Sequence, residues 1–90
     1  MSGRHAIRLS VPAKRALERD LPEKVASAAL EFIYGPLAEN PYRVGKQLRE
    51  PLWPRYSARR GEYRVIYTVR EQTVTVDVLS VSHRRDTYRA

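Results

Sequence analysis

"PRYSARRGEYRVIYTVREQTVTVDVLSV", residues 54–81, decides the fold, because here the pattern of apolar residues changes its period. Three segments, "PRYSAR" (54–59), "YRVIYTV" (63–69) and "TVTVDVLSV" (73–81), are strand-like, and the second and third are rich in aromatic or β-branched residues that suit a pleated, half-buried surface. Between them, "RGE" (60–62), with Gly61 inside it, and "REQ" (70–72) are long enough only for tight turns. Three consecutive strands joined in this way predict an antiparallel meander.

Upstream of residue 54 the period is helical. Val25, Ala28, Ala29, Phe32 and Ile33 recur at i, i+3, i+4, i+7 and i+8 and predict an apolar helical stripe. Asp20, Pro22 and Glu23 suit its start, and Gly35-Pro36 suits its end. A shorter stripe, Ala13, Ala16 and Leu17, predicts a preceding helix that starts at Ser10 or Val11 with Pro12 in its first turn. Two helices this close in sequence should form an antiparallel hairpin. "HAIRLS" (5–10) reads as a first strand, and residues 36–53 as a connection packed through Leu37, Leu48 and Trp53. The expected fold is therefore α+β, a strand, a two-helix hairpin and a three-stranded meander in one sheet, filling residues 1–90 as a single domain.

Composition narrows the function. There is no cysteine, and the two histidines, His5 and His83, are far apart, so neither a disulfide framework nor a metal site is expected. No cofactor is implied. No apolar run approaches the roughly 18 residues of a membrane span, and the first ten residues lack an apolar signal core, so the expectation is a cytoplasmic protein with no membrane partner. Lys and Arg number 17 against 10 Asp and Glu, giving +7, and 14 of the 17 are arginine. Such a charge is the footprint of a polyanion binder, and arginine grips phosphate bidentately or stacks on a base. The plainer reading is a basic surface in a genome that favours arginine codons.

Alternation sorts these charges onto faces. Arg64, Ile66 and Thr68 share one face of the middle strand, opposite Tyr63, Val65 and Tyr67, which read as core. Arg55, Ser57 and Arg59 share a face of the strand before it, with Arg60 in the turn. His83, Arg84, Arg85 and Tyr88 follow the last strand. A meander can bring the three groups to one basic face. Arginines there would balance the added charge of a pentavalent phosphate, and histidine titrates close enough to neutrality to move protons. The acidic residues of this half, Glu62, Glu71, Asp77 and Asp86, are isolated, so no paired-carboxylate metal site is expected. Cleavage without metal needs a substrate that carries its own nucleophile, as the 2′-hydroxyl of RNA does.

"GKQLREPLWPRYSARRGEYRVIYTV" followed by "VLSVSHRRDTYR" resembles the RelE family of bacterial toxins, within the RelE/ParE superfamily, and the resemblance spans nearly the whole chain. It implies a toxin of a type II toxin–antitoxin system that cuts messenger RNA in the ribosomal A site, stops translation and leaves a 2′,3′-cyclic phosphate. It also implies a RelB-like antitoxin that neutralises the toxin in a hetero-oligomer. By the same resemblance Arg64 contacts the scissile phosphate, Arg84 stabilises the transition state, Tyr88 stacks on the message, and His83 is a general acid or base. Arg55, Ser57, Arg59, Arg60 and Arg85 would contact the message or ribosomal RNA. One departure stands out: well-known members carry two lysines on the first meander strand, where this chain has Arg55 and Ser57. Neutral serine is a poor base, and arginine, with a pKa above about 12, is no better. That leaves His83 for proton transfer, or a toxin that is slower or acts mainly by binding. Two alternatives stay open, a ParE-like poison of DNA gyrase and a non-catalytic ribosome- or RNA-binding module.

Overall fold

The computed structural model describes residues 4–84. In chain order the elements are β1 (Ala6–Leu9), α1 (Val11–Arg15), α2 (Glu23–Phe32), α3 (Pro41–Val44), β2 (Lys46–Gln47), β3 (Tyr56–Arg60), β4 (Tyr63–Arg70) and β5 (Thr75–His83). One five-stranded sheet runs β1-β5-β4-β3-β2, with β1 parallel to β5 and the other neighbours antiparallel. This is the expected α+β arrangement, extended by a short edge strand, β2. No helix among the described residues is long and apolar enough to cross a membrane.

The helices cover one face of the sheet. Ala13, Leu17, Val25, Ala29, Phe32, Ile33 and Leu37 pack against Ala58, Tyr63, Val65, Tyr67, Val76, Val78 and Val81 in one buried cluster. The stripe predicted for α2 is rotated slightly: Ala26 is buried in place of Ala28, which is exposed. Tyr67 is fully buried, and its hydroxyl donates to the carbonyl of Pro41 at 2.6 Å. It stacks on Tyr56 at 5.4 Å, and Tyr56 meets the edge of Tyr42, which in turn meets His5. His5 is thus half-buried at the end of an aromatic row. Gly45 is required beside this row, since a Cβ there would overlap the Tyr67 phenol.

β5 carries the feature that sets the phase of the sheet. Ile66 pairs with Ser80 but Tyr67 pairs with Val78, so Leu79 is an extra residue, a β-bulge. Without the bulge, strict alternation would send Val81 to the face opposite Val76 and Val78. With it, all three valines are buried. Ser10 holds this point. Its Oγ accepts the Ala13 N–H at 3.1 Å, capping α1, and donates to the Leu79 carbonyl at 2.7 Å. The Ser10 N–H bonds the Val78 carbonyl.

Several boundaries differ from those predicted, each for a local reason. α1 continues through a π-helical turn, Ala16–Asp20, so Asp20 closes the first helix instead of capping the second. Leu21 is extended because it precedes Pro22, and Pro22 becomes the residue before α2. Gly35-Pro36 does not end α2. A second π-helical turn, Ile33–Leu37, carries the helix past it, with the Ala38 N–H reaching back five residues to Ile33. That wider turn needs no N–H from Pro36 and makes room for its ring. Val74 takes a positive φ of 50° in the last turn, so β5 starts at Thr75 and runs on to His83. Trp53, expected in the core, is 55% exposed in the turn at residues 50–54.

Ser10→Ala is expected to lower unfolding free energy by about 2 kcal/mol, since it removes a helix cap and the donor of a half-buried carbonyl. For a domain of this size that is a fall in Tm of about 10 °C. Thermal denaturation followed by circular dichroism checks it; an unchanged midpoint would show that the hydroxyl holds neither the helix nor the bulge.

Candidate nucleic-acid interface

The register assigns side chains to the sheet's uncovered face rung by rung. One rung is Arg59, Arg64 and Ser82, the next Ser57, Ile66 and Ser80, and a third includes Thr68, Asp77 and Arg8. Arg55 lies just before β3, where its C=O accepts from the Leu48 N–H and its N–H bonds the Leu52 carbonyl. The structure therefore brings together Arg55, Ser57, Arg59 and Arg64 of the predicted site.

Arg59 and Arg64 are directly opposite each other on adjacent strands. Like charges in that position repel. Among the described residues neither forms an ion pair, nor does Arg55. Asp77, on the third rung, is engaged by Arg70 at 2.6 Å and Arg8 at 3.8 Å, and Glu39 takes Arg4 at 2.8 Å. Arg64 is half-buried, and its Nε is buried with no hydrogen-bond partner. Covering a polar N–H without a partner costs free energy, and an anion on this face would neutralise the guanidinium that carries it.

Other predicted residues fall differently. Arg60, Tyr63 and His83 form one rung on the helix-covered side. The Arg60 guanidinium lies 4.8 Å over the Phe32 ring, a cation–π contact, so Arg60 stands apart from Arg59. His83 Nε2 is 3.8 Å from Glu62 Oε1. The bulge is the reason: by uninterrupted alternation from Val76, residue 83 would share the face of Arg64. Arg84 follows β5 directly, and its N–H bonds the Glu62 carbonyl, tying the strand's end to the β3–β4 turn. Tyr88 and Arg85 lie outside the described residues. Burial pushes the phenols of Tyr63 and Tyr67 above the ordinary tyrosine range, although Arg60 opposes the shift in both, so they are packing groups and not proton carriers. Among the described residues no three His, Asp or Glu cluster as metal ligands.

Sequence reading missed the centre of the uncovered face. Between Arg55 and the bulge is an apolar cup of about 440 Å³, lined by Leu48, Leu52, Ile66 and Leu79, with Arg55 and Ser80 beside them. Its one visible signal was "LS" (79–80) breaking the alternation of β5.

Residues 7–88 match the model of the ParE toxin family of type II toxin–antitoxin systems. Two toxins of Mycobacterium tuberculosis are similar over most of their length. Toxin RelE is 43% identical over 92% of this chain and 84% of its own, and Toxin RelG is 42% identical over 94% and 97%. The fold superimposes on a chain of the RelBE2 toxin–antitoxin complex from the same organism with a TM-score of 0.88 at 39% identity, covering 93% of this chain and 95% of that one.

Replacing Arg59 or Arg64 by Gln should weaken binding of a single-stranded polyanion and lower the slope of log K against log salt by about 0.7 for each phosphate no longer neutralised. Arg60→Gln should instead leave that slope unchanged and cost about 0.5–1 kcal/mol of stability, since it takes the cation off the Phe32 ring. Fluorescence anisotropy across a salt series, with melting curves in parallel, separates the two; equal slopes for all three variants would remove Arg59 and Arg64 from the interface.

Proposed function

Because the chain belongs to the ParE toxin family of type II toxin–antitoxin systems, we propose that it is a RelE-type toxin that cuts messenger RNA on the ribosome and is silenced by a cognate antitoxin. The observation that carries the reading is the Arg59–Arg64 pair, two arginines at directly paired positions of β3 and β4, one exposed and one half-buried, neither of them in an ion pair among the described residues. A surface built for stability alone would place an acid opposite one of them. A phosphodiester would relieve the repulsion and neutralise the Arg64 guanidinium.

The proposed reaction takes its nucleophile from the substrate. The 2′-hydroxyl oxygen attacks the adjacent phosphorus, the bond from phosphorus to the 5′-oxygen breaks, and the products are a 2′,3′-cyclic phosphate and a 5′-hydroxyl. One proton leaves the 2′-oxygen and one is delivered to the departing 5′-oxygen. Arg64 binds the phosphate, and Arg84 adds charge as the pentavalent state forms. Tyr88 stacks on the message, and Arg55, Ser57, Arg59 and Arg85 extend the grip to message and ribosomal RNA, while Arg60, drawn over the Phe32 ring, takes no part in it. His83 is the residue proposed to move a proton. Its rung faces the helices, so reaching the scissile bond requires the RNA to pass the sheet's end, where His83 and Arg84 adjoin the β3–β4 turn.

The matching family model is named for ParE, which keeps gyrase inhibition as the second reading. Expression without antitoxin separates them. Primer extension on translated messages should show cuts inside codons, and Arg64→Ala should reduce cutting by at least about a hundredfold, as losing one transition-state donor does. Double-strand DNA breaks with intact message would sink the RNA reading.

The known complexes of RelE-named toxins include RelB-named antitoxins. We propose the same class of partner here, an amphipathic, partly helical and acidic segment that wraps the helical hairpin and the basic sheet. An open apolar groove between α2 and the β3–β4 turn, lined by Pro22, Val25, Ala28 and Tyr63 with a volume of about 430 Å³, supports this reading. Ala28→Glu should leave the fold intact, since Ala28 is exposed, and weaken neutralisation tenfold or more, on the order of 1.4 kcal/mol. Co-expression rescue of growth checks it; full rescue by the wild-type antitoxin would move the partner off this groove.

A further inference from the structure

Resting on the RNA-cutting reading, we infer that the cup of Leu48, Leu52, Ile66 and Leu79 is a nucleobase subsite that holds one base of the substrate strand beside Arg64. Its volume, about 440 Å³, falls within the range of roughly 300–1,000 Å³ usual for small-ligand sites. Four aliphatic side chains form the walls, and the polar groups at hand are the Arg55 guanidinium and the Ser80 hydroxyl. That combination suits a flat aromatic heterocycle: aliphatic surface for its faces, a planar cation that can stack, and a hydroxyl that can donate or accept at its edge.

Charge selects the occupant. Arg55 borders the cup itself, and Arg59 and Arg64 occupy the neighbouring rung, none of them in an ion pair among the described residues. An apolar peptide segment seated here would leave that charge unanswered. A base attached to a phosphodiester fills the cup and brings its own anion. Ile66 and Arg64 are two residues apart on the same face of β4, about 7 Å along the strand, a gap that a single extended nucleotide bridges. The bulge completes the geometry, since it adds the extra residue Leu79 next to Ser80 and Ile66.

The test uses the full-length chain and a nine-nucleotide, 2′-O-methyl single-stranded RNA, with an abasic residue stepped through it. Lone Trp53, 55% exposed next to Leu52, reports binding by its fluorescence. One abasic position should weaken binding about tenfold, the usual effect of losing a stacked base. Leu52→Ser should weaken the intact strand about tenfold too, and Leu52 is exposed enough that the variant folds. Combining the two should cost no more than either alone. Multiplying effects, or an abasic series that binds uniformly, overturn the subsite. Unchanged RNA binding by Leu52→Ser with weakened antitoxin capture would make the cup a protein-docking groove and overturn it as well. Primer extension run in parallel distinguishes the premise: Leu52→Ser cutting at unaltered positions and rates, with Arg64→Ala inactive, overturns the subsite alone. Absence of cuts by the wild-type chain overturns the nuclease reading.

Discussion

The hydrogen bond from Ser10 Oγ to the Leu79 carbonyl fixes what the rest of the molecule can be. A strand with an extra residue has a backbone carbonyl displaced from its ladder, and burying that group without a donor is costly. Ser10 supplies the donor from the junction of β1 and α1, and the same oxygen caps the helix. The bulge then lets Val76, Val78 and Val81 all face the helices, which matters in a chain too short to waste core positions. It also turns Leu79 and Ser80 toward the uncovered side. Core and candidate site are thus two outcomes of one backbone irregularity.

Two opposed demands are met on the two faces of the sheet. The covered face is aliphatic and aromatic, with Tyr67 buried and its hydroxyl satisfied by Pro41. The uncovered face collects Arg55, Arg59 and Arg64, while Asp77 pairs with Arg8 and Arg70. Three of the cations, Arg55, Arg59 and Arg64, thus meet on one face with no ion pair among the described residues.

Period-two alternation made the meander legible, and the stripe from Val25 to Ile33 made α2 legible, because both patterns express burial directly. The same alternation separated Arg64 from Tyr63 and Tyr67 correctly. It was of no help at His83, expected after the last strand: β5 runs on to include it, and the bulge turns its rung to the covered side. Gly35-Pro36 was misread for a related reason: the pair stops an α-helix, but a π-helical turn tolerates it, and nothing local in the sequence distinguishes the two. Trp53 was assigned to the core on its size, yet the turn that carries it leaves it outside. The cup left only the broken alternation at Leu79-Ser80 as a trace, because its walls come from three separate segments with no shared motif.

The opposed arginines of β3 and β4 have a thermodynamic corollary. A protein with unrelieved repulsion is least stable when empty, and any anionic ligand raises its unfolding free energy by RT ln(1 + [L]/Kd). RNA and an acidic antitoxin would then act as alternative stabilisers of one fold. The chain bound to neither spends the largest fraction of its time unfolded, and is the form most open to proteolysis. Its persistence in a cell would thereby be coupled to occupancy, so the lifetime of the free toxin would depend on the same two side chains proposed to bind RNA.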